Sequence, residues 1–134
     1  MKDGVPSASE AGSRDTAVAA ARAAAEKQAQ DVVVLDVHDL IVITDFFVLC
    51  TGTSDRQVRT VVEEVEKALR GLGHKPVRRE GEHGSRWVLL DYVDVVVHVF
   101  APEERDFYDL ERLWLDAPRL EWVEEGGVAA SAAD

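Results

Sequence analysis

Cysteine is nearly missing from this chain. Cys50 is the single one among 134 residues, so no disulfide can close within the chain and no thiolate-rich metal site can be assembled. Long apolar runs are missing too, since none approaches the roughly 18 uncharged residues that a membrane-spanning helix needs. The opening MKDGVPSASE carries Asp3 and Glu10 where a secretory leader would be apolar, so the expectation is a cytoplasmic protein in reducing surroundings. Positive charge is scarce: 15 Lys and Arg stand against 26 Asp and Glu, a net charge of −11. Gripping nucleic acid relies on Lys and Arg to neutralise phosphates, so direct nucleic-acid recognition is not expected and a basic protein is the better partner. The acid is concentrated towards one end, where residues 102–134 hold 10 acidic and only 3 basic side chains.

Signatures of catalysis are equally thin. His38, His74, His83 and His98 lack the paired spacing that a zinc site shows, so no metal is expected. Thr51-Gly52-Thr53-Ser54 lies between a strand and a helix, where backbone N–H groups can receive an anion. Neither the phosphate-binding Gly-x-x-x-x-Gly-Lys-Ser/Thr loop nor the three-glycine dinucleotide pattern accompanies it. The simpler reading is that Gly52 makes a turn and Ser54 caps a helix. Nucleotidyl transfer would need neighbouring carboxylates on a strand to hold magnesium, whereas Glu63, Glu64 and Glu66 fall on a helix. Cys50, in an apolar strand, reads as a small buried hydrophobe rather than the nucleophile of a Cys50–His98 pair, and His98 reads as a core or sheet histidine. No catalytic residue, metal or cofactor is therefore expected.

What the sequence does contain is a regular succession of elements. A single domain over residues 15–120 is expected between mobile tails at 1–14 and 121–134, both poor in apolar periodicity. Asp15 or Thr16 can cap an Ala-rich helix to about Gln30. Val32–Leu35 and Thr44–Thr51 read as strands, short and apolar enough for central positions in a sheet, with a polar turn near His38-Asp39 between them. Ser54-Asp55-Arg56-Gln57 has the form of a capping box and opens a helix whose apolar face is Val58, Val61, Val62, Val65, Leu69 and Leu72. Gly71 and Gly73 end it. Lys75–Arg79 suits an edge strand, because Pro76 has no N–H to donate. Arg86–Asp91 and Asp94–Phe100 form a hairpin, with Val95, Val97 and Val99 on one face and Val96, His98 and Phe100 on the other. Asp91 and Asp94 suit the turn, since an Asp side chain readily bonds the backbone two residues on. Pro102 can start a last helix over Glu103–Leu115, which Pro118 would stop. The predicted class is α+β: a mixed five-stranded sheet with helices packed on it, in the order helix, two strands, helix, three strands, helix.

The stretch from Trp87 to Trp114 mixes Trp87, Tyr92, Phe100, Phe107, Tyr108 and Trp114 with Arg105, Asp109, Glu111 and Arg112. A domain of this size needs some of these rings in its core, yet Tyr, Trp and Arg also anchor protein interfaces. Two-residue alternation gives Trp87 and Leu89 one strand face and Val88 and Leu90 the opposite, core face. Tyr108, Glu111 and Trp114 would share one side of the last helix.

Several ordered segments together resemble a known family. They are Thr44-Asp45-Phe46-Phe47-Val48, Gly52-Thr53-Ser54 with Arg56-Gln57-Val58, Glu80-Gly81, Trp87–Tyr92, Asp94–Phe100, Arg105, Phe107-Tyr108 and Leu110–Trp114. Over residues 16–115 the chain is similar to the Iojap-like ribosomal silencing factors. The resemblance implies a nucleotidyltransferase-like fold without known transferase activity. It also implies docking on the fourteenth protein of the large ribosomal subunit, which prevents the small subunit from joining and represses translation when nutrients are short. The docking face is placed on the last two strands and final helix, with Trp87, Leu89, Asp91, Tyr92, Arg105, Tyr108 and Glu111 as candidate contacts. Off the ribosome such a vacant face could pair two copies as a homodimer. The competing class is a nucleotide-binding or nucleotidyl-transferring enzyme using the Thr51–Ser54 turn. Relatives usually carry glycine in place of Val93, and a β-branched residue resists positive φ, so a wider or differently shaped turn is expected here.

Overall fold

A computed structural model of the chain describes residues 8–81 and 86–123, the first few by backbone alone. The elements are α1 (Ala8–Glu26), β1 (Gln30–Asp36), β2 (Phe46–Thr51), α2 (Asp55–Gly71), β3 (Arg78–Glu80), β4 (Trp87–Asp91), β5 (Val95–Phe100), α3 (Pro102–Tyr108) and α4 (Leu110–Leu113). They build the expected mixed sheet of five strands, in the order β1-β2-β5-β4-β3. β2 and β5 run parallel and the other neighbours antiparallel.

Period-two alternation divides the strands between two faces. Val34, Phe46, Val48, Cys50, Val88, Leu90, Val95, Val97 and Val99 point to the side covered by α1 and α2. The alanines of α1 make this packing close: Ala17, Ala20, Ala21 and Ala24 are fully buried. From α2 come Val58, Val61, Val62, Val65 and Leu69, the apolar face expected from the sequence except for Leu72, which caps the helix end and is exposed. Ser54 caps α2 by accepting from Gln57 N at 3.1 Å. Gln57 reaches back to accept from Thr53 N at 2.6 Å and donates to the carbonyls of Lys27 and Gln28, stitching α2 to the end of α1. Gly52 is required where the turn meets α2, because a Cβ there would lie 2.8 Å from Val58 N.

Five expectations need correction. The first helix starts at Ala8 rather than Asp15 or Thr16, so residues 8–14 are not a tail. Ser13 is buried and donates to Asp45 Oδ2 at 2.7 Å, a tertiary bond that overrides the weak helix propensity of this Gly/Ser stretch. β1 lies at the sheet edge, not in its centre. Its apolar run is explained by the chain's return along that edge, where Asp36 N donates to Pro118 O and Leu120 N to Val34 O, each at 2.8 Å. Trp122, assigned to the second tail, packs on the helical core and donates from Nε1 to Val32 O at 3.2 Å. The last helix breaks at Asp109, whose left-handed φ of 45° ends α3, and α4 resumes for a single turn. Val93, finally, does adopt a positive φ, of 75°. Asp94 N donates to Tyr92 O at 2.9 Å, closing a γ-turn, so the turn is differently shaped but not wider, while Asp91 Oδ1 accepts from Val93 N as its residue type suggested. A β-branched residue in such a conformation costs about 1–3 kcal/mol. Residues 1–7, 124–134 and His83 lie outside the described residues.

Candidate docking face

The second side of the sheet is only partly covered. Leu35, Leu49 and Phe100 are buried there beneath Leu110, Trp114 and Ala117 from the α4 region. Over Leu89–Asp91 of β4 and Val96 of β5 no helix follows, and a groove of about 350 Å³ opens, lined by Ile41, Ile43, Phe47, Leu89, Val93 and Val96 together with Arg78, Asp91 and His98. Beside it Leu40, Val42 and Ile43 stand out from the β1–β2 loop, Val42 wholly exposed and Ile43 77% exposed. The loop is folded back by Leu40 N and Ile41 N, which both donate to Val37 O at 2.8 Å.

A row of rings runs along this side. Trp87 lies over Phe100 at 5.0 Å between centroids, and Tyr108 covers Trp87 at 4.4 Å. Phe47 meets His98 edge-on at 5.2 Å and Trp114 at 5.7 Å. Trp87 donates from Nε1 to His98 Nδ1 at 3.2 Å. Burial pushes the imidazole pKa down to about 4, so His98 is neutral near pH 7. With Nδ1 accepting, the proton sits on Nε2, which is buried and has no hydrogen-bond partner among the described residues.

The candidate contact residues separate. Trp87, Leu89 and Asp91 share the open side, and Tyr108 stands at its end above Trp87. Tyr92 points to the opposite side, against the helical core, where burial above all, with Glu66 nearby, pushes its hydroxyl up to about 12. Arg105 faces inward and is 7% exposed. Its guanidinium donates to both oxygens of Glu111, at 3.1 and 2.9 Å, and to Thr51 Oγ1 at 2.8 Å. The bond from Arg105 holds the Glu111 carboxyl below its ordinary range. This pair braces the α3–α4 break. Sequence reasoning passed over Leu40–Ile43 because His38-Asp39 marked the segment as a polar turn; four successive apolar residues outside any strand were the available signal.

The alternative chemistry finds its parts engaged elsewhere. In the Thr51–Ser54 turn, Gly52 N donates to Phe100 O, Thr53 N to Gln57, and Thr51 Oγ1 accepts from Arg105. Cys50 and His98 lie on opposite sides of the sheet, and burial raises the Cys50 thiol to about 12. Among the described residues no group of three or more His, Cys, Asp or Glu side chains could hold a metal ion. No helix among them is long and apolar enough to cross a membrane.

Fold and face together define an α+β domain with one sheet side sealed by two helices and the other half open, ringed by aromatics. The family model described as "Ribosomal silencing factor during starvation" matches residues 10–134, and the chain belongs to that family. It is 44% identical over 102 residues to the ribosomal silencing factor RsfS of Halalkalibacterium halodurans, covering 76% of this chain and 87% of the relative. To RsfS of Bacillus subtilis it is 42% identical, covering 74% and 84% of the two chains. A solved structure from Chromobacterium violaceum superimposes with a TM-score of 0.73 at 31% identity, covering 86% of this chain and 95% of that one. One from Bacillus halodurans gives 0.67 at 41% identity, covering 77% and 93%. The family is one of ribosome-associated silencing factors, not a known enzyme family.

Proposed function

We propose that this chain is a cytoplasmic repressor of translation. It docks on the large ribosomal subunit through that subunit's fourteenth protein, and its bulk keeps the small subunit from joining when nutrients are limiting. Family membership supports action on the ribosome. A mouse relative, 33% identical over 92 residues, is named for mitochondrial assembly of the large ribosomal subunit. The observation that carries the docking mode is the half-open side of the sheet, where Leu89 and Asp91 meet Ile41 and Ile43 of the apolar loop and Trp87 stands further along the same side beside Tyr108. Aromatic anchors beside a concave apolar patch are what binding hot spots are made of. The net charge of −11 suits a basic ribosomal protein. Tyr108 extends this face, whereas Arg105 and Glu111 support it from beneath, and Tyr92 contributes through the hairpin turn. The role is steric and needs no catalysis, cofactor or metal. When free, the same face can pair two copies as a homodimer.

Co-sedimentation of the full chain with purified large subunits tests this, followed by light scattering as small subunits are added. The expected result is saturable binding and a joining amplitude that falls as occupancy rises. Binding that leaves joining unaffected would refute the steric mechanism.

A further inference from the structure

Buried polar side chains rarely go without a hydrogen-bond partner, and in folded proteins the large majority have one. Among the described residues three buried side-chain polar atoms have none, and two of them, Thr44 Oγ1 and His98 Nε2, belong to residues that line the groove over β4 and β5. Both residues are almost wholly buried, Thr44 4% and His98 5% exposed. Strand register places the second atom. Along β5, Val96 lines the groove, Phe100 pairs with Trp87 at the other end, and His98 stands between them. His98 Nδ1 accepts from Trp87 Nε1 at 3.2 Å, so Nε2, on the opposite edge of the imidazole, is turned away from Trp87 towards Val96 and carries a proton that it can only donate. The Thr44 hydroxyl can donate or accept.

The rest of the lining sets the chemistry of what can meet these two groups. Ile41, Ile43, Phe47, Leu89, Val93 and Val96 give apolar walls. The two charged lining residues, Arg78 and Asp91, pair with each other at 3.4 Å, so the groove offers a ligand no uncompensated charge. Its volume of about 350 Å³ falls within the range of small-ligand sites, roughly 300–1,000 Å³. We propose that this groove binds an uncharged, largely apolar small molecule bearing a carbonyl oxygen, which accepts from His98 Nε2–H, with the Thr44 hydroxyl as a second polar contact. Such a ligand supplies what the fold withholds from both groups. The site is independent of the proposed docking on the ribosome, because it is measured on the protein alone.

The test titrates the ¹⁵N-labelled full chain with acetophenone and with ethylbenzene, which share a ring and differ chiefly in the carbonyl oxygen. Acetophenone should give saturable NMR shifts at the Val93 and Val96 amides and move the His98 Nε2 proton downfield. Ethylbenzene should bind about fivefold more weakly, the scale of one neutral hydrogen bond. Thr44→Val keeps the shape and removes the unpaired hydroxyl, so its urea midpoint should be unchanged or higher while its acetophenone affinity falls by a similar factor. Equal binding of the two probes, shifts confined to residues away from the groove, or an unmoved Nε2 proton overturns the inference. A Thr44→Val that binds acetophenone as the unaltered protein does, or that fails to fold, overturns it as well, since the hydroxyl then serves the fold and not a ligand. None of these outcomes bears on large-subunit binding, so the proposed function stands or falls separately.

Discussion

The Trp87 indole donates to His98 Nδ1 across neighbouring strands, at 3.2 Å, and this bond sets both rings. It turns the indole along the sheet instead of out into solvent, and it leaves the imidazole proton on the buried Nε2. Trp87 is consequently half in the core and half in the open face, which explains why neither role alone describes it.

Truncating this ring should therefore show in both stability and binding. Trp87→Ala should weaken large-subunit affinity by about 2 kcal/mol or more, as for a desolvated anchor. Its cost to folding should stay below the roughly 3–5 kcal/mol of a fully buried aromatic. Urea midpoints and affinities measured together decide the point; an unfolded variant would make Trp87 purely structural.

Acid should act on the fold through His98. Its folded pKa of about 4 lies below the ordinary 6.5, so the unfolded chain binds the extra proton first. This contribution is complete above pH 6.5 and is lost as pH falls through that window towards 4, on the order of 3 kcal/mol in all. His98→Asn keeps an acceptor for Trp87 but does not titrate. It should flatten the dependence of the urea midpoint on pH between those limits, whatever its absolute stability; an unchanged slope would assign the titration elsewhere.

The Arg105–Glu111 pair should report on stability. Arg105→Ala strands a partly buried carboxylate and Thr51 Oγ1, and the loss expected for a broken buried pair is about 3–5 kcal/mol, nearer the lower figure because Glu111 keeps some solvent contact. Glu111→Lys, which sets two cations together, should be at least as harmful. Both should bind large subunits in proportion to the fraction folded. A well-folded Glu111→Lys with a binding defect that salt abolishes would place Glu111 in the interface instead.

The chain's return along β1 should also be measurable. Ending the protein at residue 120 removes the Trp122 indole from the helical core and its bond to Val32 O. The loss should be about 1–3 kcal/mol of stability, the scale for one large side chain leaving a part-buried site. An unchanged urea midpoint would show that this segment merely lies on the surface.

Local regularities made much of the architecture legible in the sequence alone. Alternation separated Val95, Val97 and Val99 from Val96, His98 and Phe100 because side chains on a strand must point to opposite sides wherever the strand sits. Ser54 and Gln57 marked the start of α2 because capping is a contact between near neighbours in the chain. The family, too, was readable from ordered segments. Tertiary structure decided the rest, through contacts between residues far apart in sequence. Asp45 draws Ser13 into the first helix, 32 positions away, and the carbonyl of Val32 engages Trp122 from 90 positions away. Arg105 was assigned to a surface by its charge, yet Thr51 and Glu111 together satisfy its donors inside the fold. Tyr92 shares a hairpin with Trp87 and Leu89 but stands an odd number of positions along the chain from each, so the pleat turns it to the other side. The positive φ of Val93 ran against its own residue preference. The sheet pairing on either side of the turn prevailed over that local preference, because strand register admits no wider loop between Asp91 and Val96.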